Sequence, residues 1–528
     1  MSGSFCTTAG VRGAGIRLSD VAREIPGTPE ITGNKDVLVY GVKHDSRLVE
    51  KGDLFVMRKG ANADGAAFAQ AAVDRGACAL LAAKGTDLDL GVPIIGVDDV
   101  QDGLAFAAAA VYGHPSFAID VIGITGTNGK TTTSHLVRSA INGAFKSECA
   151  GLIGTVGHTF RDLAIDASHT TPEADETARV LAMMKARGAT HVAMEVSSIA
   201  LTLGRARALR IRVAAFTNLT QDHLDFHGTM DAYGEAKALL FTDLGPASAV
   251  INVGDPFGAA LVARARSQVV RVRAGLEGPA AEIYPIECTI DARGIRGVLH
   301  TPVGGVSFSS RLVGAHNLEN LVVAFGIAYA LELDLRAVAE ALAEDVGAPG
   351  RLERCDEDGD AFRVLVDYAH TPDALARVID ALRPLTKGRL FCIFGCGGDR
   401  DRTKRGPMGE AAAGADLVIV TSDNPRTEDP NEIAKPIVEA VSRAKRSLSD
   451  PTMLRTEATG YVAELDREQA IRLAVENASE GDVILLAGKG HEDYQIVGTE
   501  KRPFDDRVIA KRFLAARRPR DLSSGRSA

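Results

Sequence analysis

Residues 121–133 read VIGITGTNGKTTT, and no other stretch limits the fold of this chain as strongly. An apolar run breaks into a glycine-rich loop and ends on Lys130 followed by three threonines. Gly126 and Gly129 can take backbone angles closed to other residues, so the N–H groups of Gly126, Thr127, Asn128 and Gly129 can turn toward polyphosphate oxygens. Lys130 adds charge, and a hydroxyl of Thr131 or Thr132 can ligate Mg²⁺. The loop departs from the usual GxxxxGK[ST] form, because Ile124 stands five before Gly129. It is the shorter GxTGTNGK[ST][ST] version, and it predicts ATP binding.

A chain of 528 residues holds about three domains at roughly 150 residues each. The hydrophobic fraction of 45% supplies several cores, and aromatics at 5% with no Trp make those cores aliphatic. Abundant Gly and Ala suit close helix-on-strand packing in an α/β fold. A net charge of −9 argues against a general nucleic-acid or membrane-surface binder. Seven scattered cysteines without CxxC spacing read as reduced thiols rather than a disulfide or zinc framework. The N-terminus lacks an apolar signal region, and no apolar stretch reaches the ~18 residues of a membrane span. The expectation is a soluble, cytoplasmic protein without membrane insertion.

Short apolar runs alternate with helical segments along the whole chain. In the first hundred residues the strands are expected at Val37–Val42, Asp53–Met57, Cys78–Ala82 and Val92–Val97, with a helix over Phe68–Arg75. The texture changes at His114-Pro115-Ser116, where a strand over Ile119–Ile124 leads through the loop into a helix from Thr131. Further strands are expected at His191–Val196, Val213–Asn218 and Ser248–Asn252. A second boundary falls near Gly347-Ala348-Pro349-Gly350, followed by strands Arg363–Asp367, Arg389–Phe394, Leu417–Thr421 and Val483–Leu486. The reading is therefore a small N-terminal α/β domain (1–115), a central phosphate-loop domain with a parallel sheet (116–346) and a C-terminal Rossmann-like domain (347–528). The final ARRPRDLSSGRSA reads as a disordered basic tail.

Thr371-Pro372-Asp373 and Asp429-Pro430-Asn431-Glu432 each place a capping side chain before Pro at the first helical position. Both helices then start at the carboxyl end of a strand, the edge where open parallel sheets bind ligands. In the central domain Glu195 interrupts a buried strand near its end, where a carboxylate can hold the Mg²⁺ that bridges ATP phosphates. A strand-end acid paired with a nearby base is the plainer alternative. The stretch TNLTQDHLDFHG (217–228) is too polar for core and reads as a site loop, in which His223 can ligate a metal or orient a phosphate.

These motifs, with TTPE (170–173), EVSS (195–198), YGEAK (233–237), GAHNLEN (314–320), GRLE (350–353) and DYAHTPD (367–373), resemble those of the ATP-dependent Mur ligases, which build the peptidoglycan stem peptide. The resemblance covers about residues 35 to 515. HDSRLVEKGDLFV (44–56) and GANADG (60–65) resemble the UDP-binding domain of the diaminopimelate- or lysine-adding member. FGCGGDRDRTKR (394–405), SDNPR (422–426) and AGKGHEDYQ (487–495) are similar to the meso-diaminopimelate-adding type, since the lysine-adding type lacks the Arg of DNPR.

The resemblance implies an ATP-dependent ligase that joins UDP-N-acetylmuramoyl-L-alanyl-D-glutamate to meso-2,6-diaminopimelate through an acyl phosphate, with Mg²⁺ and as a monomer. It implies catalytic roles for Lys130, Glu195, His223, Lys237 and Arg351, with Lys237 as a carbamate beside Thr131, Glu195 and His223 at the metal. Asn317, Asp367 and His370 join the phosphate loop in holding ATP. His44, Ser46, Asn62, Thr170, Thr171, Ser197 and Arg205 match the nucleotide-sugar site, while His169 and Leu203 depart from the residues some members carry there. A free carboxylate on the acceptor calls for planar bidentate donors, which Arg400 and Arg426 supply. Asp423, Asn424, Pro425, Gly488 and Glu492 complete that pocket. The alternatives are a lysine-adding ligase, a folate polyglutamating ligase of the same central fold, or an ATP-dependent switch without chemistry.

Overall fold

The computed structural model describes residues 11–58, 65–357 and 359–518. They pack as two compact units. One contains the chain up to Ile286 with Leu299–Val306 and Glu319–Leu342; the other contains Glu287–Val298, Ser307–Leu318 and the chain from Ala343.

The first unit holds two large sheets. Near the N-terminus the strands run in the spatial order Glu30–Thr32, Ile94–Val97, Ala79–Ala83, Asp53–Val56 and Gly41–Lys43, parallel except for the first pair. The run Val37–Val42 is not one strand. It breaks at Tyr40, whose N–H is taken by Gly52 O at 2.9 Å. Leu38–Val39 pairs with Ile16–Arg17, and Gly41–Lys43 enters the sheet.

The second sheet of this unit has eight strands in the order Leu163–Ile165, Gly157–Phe160, Ala150–Gly154, His191–Glu195, Asp120–Thr125, Ile211–Phe216, Ser248–Asn252 and Gln268–Val272. Six are parallel, and their runs are almost wholly apolar because helices cover both faces. The expected parallel sheet is there, and it carries an antiparallel hairpin at one edge. Only two residues join Ala150–Gly154 to Gly157–Phe160 and Gly157–Phe160 to Leu163–Ile165, and a connection that short can only return antiparallel. Asp120–Thr125 lies between His191–Glu195 and Ile211–Phe216, so the chain leaves it in one direction and later crosses to its other side. At such a reversal the carboxyl ends of the strands open a crevice for ligand. Val121, Ile122, Ile124, Val192, Val213 and Ile251 are fully buried or nearly so, each contributing about 1.5–3 kcal/mol of transfer free energy.

The second unit is built on a six-stranded sheet ordered Glu353–Arg354, Arg363–Asp367, Val483–Ala487, Leu390–Phe394, Leu417–Val420 and Gly460–Ala463. All but the first strand are parallel. Register pairs Asp367 with Ala487 and Phe394 with Val420, so four motif-bearing loops leave one edge at one level. Thr371 and Asp429 cap their helices, accepting hydrogen bonds from Ala374 N and Asn431 N, with Pro at the first helical position in both. The expected disordered tail begins too early. Helix Asp506–Arg517 runs through Ala516, and Arg518 grips Asp360 at 2.6 and 2.8 Å; residues 519–528 lie outside the described part.

Candidate active site

The phosphate loop is held open from the side by the polar segment after strand Ile211–Phe216. Thr127 N donates to Asn218 O at 2.8 Å, Asn128 N to Asn218 Oδ1 at 2.9 Å, and Thr217 Oγ1 to Asn128 O at 2.6 Å. Gly126 has φ 152° and Gly129 φ 84°. A Cβ on Gly126 would stand 1.8 Å from Thr217 Oγ1, and one on Gly129 2.1 Å from Asn320 Oδ1. Both glycines are therefore required by space as well as by angle. Lys130 Nζ folds back on the loop, donating to Gly126 O and Thr127 O, each at 2.9 Å.

Glu195 ends its strand with no exposed surface. Its Oε2 accepts from Thr131 Oγ1 at 2.9 Å and Thr155 Oγ1 at 3.1 Å, and its Oε1 from Thr155 N at 2.8 Å. Thr131 Oγ1 and the Glu195 carboxylate are hard oxygen donors of the type Mg²⁺ takes, beside a loop shaped for polyphosphate. Among the described residues no three His, Cys, Asp or Glu side chains come together as a metal cage, so an ion here would draw its other ligands from phosphate and water.

Lys237, which in isolation would pass for a solvated helix lysine, is only 1% exposed. Its Nζ donates to Gly126 O at 2.8 Å and lies 4.2 Å from the centroid of the Tyr233 ring. Burial, and then the charge of Lys130, hold its pKa well below that of an ordinary lysine. His223, at the start of the short helix Leu224–His227, has φ 50° and an edge-on contact with Tyr233 at 6.1 Å; Asp222 is 3.6 Å from its Nε2.

A second group of residues in the same unit surrounds Glu173. Arg205 Nη2 is 2.9 Å and Arg58 Nη1 2.6 Å from its carboxylate, and Arg205 Nη1 donates to Thr171 O at 3.2 Å. Thr171 Oγ1 donates to Glu195 O and accepts from Ser197 N, both at 2.9 Å. Thr170 is tied to Thr155 at 3.1 Å. His44 Nδ1 is 2.9 Å from Asp175. Burial opposes its charge, but the hydrogen bond and field of Asp175, with Glu173 behind, raise its pKa above the ordinary value. Ser46 opens the adjoining single turn Ser46–Leu48, and Asn62 lies outside the described residues.

The remaining site residues belong to the second unit. Arg351 lies over Tyr368 at 5.0 Å, and Asp367, buried, accepts from Leu352 N and Ala369 N at 2.8 Å each. Burial raises the pKa of Asp367 against the pull of Arg351 and those amides. His370 turns Nδ1 to Tyr368 O at 2.9 Å, and Asn317 Nδ2 donates to Val313 O at 2.9 Å. Along the same sheet edge Arg426 has φ 51° and donates to Gly398 O at 2.8 Å, while Arg400 is exposed on the neighbouring loop. Asn424 Nδ2 donates to Glu492 Oε2 at 2.9 Å. A Cβ on Gly488 would meet Asp423 Oδ2 at 2.9 Å, and Pro425 is buried against Gly398.

Sequence reasoning missed three contributors: Glu173 and Arg58, which lock Arg205, and Lys489, buried among Asp423, Asn424 and Glu492. The signal for the last was a lysine between two glycines in AGKGHEDYQ, directly after an apolar strand.

The chain matches the Mur ligase family catalytic domain over residues 38–115, the Mur ligase middle domain over 124–328 and the Mur ligase glutamate ligase domain over 350–490. It is 44% identical over 488 residues to a protein of Gloeobacter violaceus named UDP-N-acetylmuramoyl-L-alanyl-D-glutamate--2,6-diaminopimelate ligase, covering 92% of this chain and 96% of that one. A Geobacter metallireducens protein of the same name is 44% identical over 524 residues, covering 96% and 99%. Among solved structures, one titled as this ligase superposes with a TM-score of 0.69 at 32% identity, covering 95% of this chain and 99% of the other.

Proposed function

The chain belongs to the Mur ligase family, and on that premise we propose that it joins meso-2,6-diaminopimelate to UDP-N-acetylmuramoyl-L-alanyl-D-glutamate at the expense of ATP, releasing ADP and phosphate. Peptidoglycan precursor synthesis in the cytoplasm is its setting, and a monomer is its working form. The domains divide at about residues 115 and 346.

The observation that carries the reading is the phosphate loop tied through Thr131 to Glu195; in the other unit, taken by itself, the motif loops bearing Arg426 and Glu492 leave one sheet edge at one level. A carboxylate is a poor electrophile in water. Transfer of the γ-phosphoryl group of ATP onto a substrate carboxylate oxygen makes an acyl phosphate and ADP; the acceptor amine then attacks the carbonyl carbon, and phosphate leaves as the amide forms. Lys130 meets the β and γ phosphates, and Arg351 adds a cation from the C-terminal domain, assisted at the nucleotide by Asn317, Asp367 and His370. Thr131 and Glu195 would hold Mg²⁺, which would supply charge neutralisation at the phosphates. Addition of CO₂ to Lys237, its nitrogen bonding to carbon and losing a proton, would give a carbamate that with His223 would hold a second ion. Its burial at 1% exposure and its depressed pKa favour the neutral amine this addition needs.

His44, Ser46, Asn62, Thr170, Thr171, Ser197 and Arg205 hold the nucleotide sugar. Arg400 and Arg426 meet the distal carboxylate of the acceptor, with Asp423, Asn424, Pro425, Gly488 and Glu492 around its ammonium and main chain. Phosphate release tests the reading: it should require ATP, the UDP-linked dipeptide and the amine together. Release from ATP alone at an undiminished rate would favour an ATP-driven switch instead.

A further inference from the structure

Lys489 follows strand Val483–Ala487 by two residues, and its side chain has no exposed surface. Its Nζ is 3.3 Å from Asn424 Oδ1, 3.3 Å from Glu492 Oε2, 3.7 Å from Asp423 Oδ1 and 5.7 Å from the centroid of the Tyr494 ring. Burying an ammonium is costly unless paired, and here two carboxylates and an amide oxygen surround it. Asn424 Oδ1 also accepts from Ile496 N at 2.9 Å. With the oxygen side of the amide so occupied, Nδ2 is turned to Glu492 Oε2 at 2.9 Å. Glu492 Oε2 thus takes hydrogen bonds from both Asn424 and Lys489, whereas among the described residues its Oε1 takes none.

We propose that Lys489 is a positioning residue for the acceptor: it fixes the Asn424–Glu492 pair by holding Glu492 Oε2, so that Oε1 receives the ammonium of the incoming amino acid. The proposal rests on the acceptor pocket of the preceding subsection. Asp423 stands beside Glu492 across the same lysine, and the other charged or titratable groups that feel Glu492 are Arg467, Tyr368, His491 and Tyr494. Of these Lys489 is the one cation in hydrogen-bond contact with it. Without that cation, Glu492 Oε2 keeps only its bond from Asn424 and the side chain is free to turn.

The test is steady-state kinetics of the full-length wild type and Lys489→Met between pH 6.5 and 8.5, varying each of the three substrates. For Lys489→Met the meso-diaminopimelate KM should rise by about tenfold or more, with the ATP and UDP-dipeptide KM values within about twofold. Lys489→Arg, which keeps the charge, should recover part of the loss. If Lys489→Met does not fold, Lys489→Gln, which keeps a donor for Asn424 and removes the charge, is read the same way. An unchanged acceptor KM in an active protein, or an equal rise in all three KM values, overturns the proposal. A wild type that ligates no amino acid overturns the underlying reading, and the proposal with it.

Discussion

Thr131 Oγ1 donates to Glu195 Oε2 at 2.9 Å across a separation of 64 residues, tying the first turn after the phosphate loop to the end of the neighbouring strand. The neighbour beyond leaves that carboxylate just enough room: a Cβ on Gly154 would lie 2.1 Å from Glu195 Oε1. Gly154→Ala is therefore expected to push Glu195 off Thr131 and lower turnover by about tenfold or more, overpacking costing roughly 1–3 kcal/mol. Kinetics and a thermal melt on the same sample check this. Wild-type turnover would mean that the placement of Glu195 is not critical.

Lys130→Ala removes the charge aimed along the loop. Turnover should fall by at least a hundredfold, since a positioned cation at a phosphoryl centre is worth about 3–5 kcal/mol. The fold should survive, because the Lys130 amine bonds carbonyls of its own loop, Gly126 O and Thr127 O. Far-UV circular dichroism and turnover, measured together, decide it; activity within about tenfold of wild type refutes the role.

Lys237→Ala should be nearly inactive, and added acetate or propionate should restore part of the rate by supplying the carboxylate the carbamate would have provided. A wild-type protein titrated with ¹³C-labelled CO₂ should show a carbamate carbon signal that the variant lacks. Full activity in Lys237→Ala removes the carbamate from the account.

His158 predicts an acid weakness. It lies on strand Gly157–Phe160, fully buried, with neither ring nitrogen hydrogen-bonded among the described residues. Burial, with a smaller push from Arg179, holds its pKa down to about 4. The unfolded chain, with an ordinary value near 6.5, binds the proton more readily. This contribution to stability is full above pH ~6.5 and is lost as pH falls toward ~4. Between pH 7 and 5 it amounts to on the order of 1–2 kcal/mol. His158→Phe should flatten the fall in melting temperature over that interval; an unchanged slope contradicts the assignment.

Much of the scaffold was legible because buried parallel strands leave a plain trace. Ser248–Asn252 and Arg363–Asp367 coincide with their apolar runs to the residue. The hairpin strands Gly157–Phe160 and Leu163–Ile165 escaped because they are short and mix Gly, His and Thr with their apolar residues. Gly460–Ala463 was hidden because it opens on Gly and offers only three apolar residues between polar flanks. At the site, glycine and charge spacing pointed to Thr131, Glu195 and Arg426, but burial is not written in residue type. By residue type alone Lys237 passes for a solvated lysine, and only the family resemblance gave it a role; the part of Lys489 emerges only from the packing around it, and Glu173 acquires its partners only when Arg58, 115 residues away, is brought to it.

The most direct test is phosphate release by the wild type with ATP and the UDP-linked dipeptide, compared between meso-diaminopimelate and L-lysine. Lysine lacks the distal carboxylate that the proposal assigns to Arg400 and Arg426, and an unmatched guanidinium in a site built for that group commonly costs a factor of about 10⁴. The account predicts rapid release with meso-diaminopimelate and a kcat/KM for L-lysine lower by about three orders of magnitude or more. Equal efficiency with the two acceptors would contradict it.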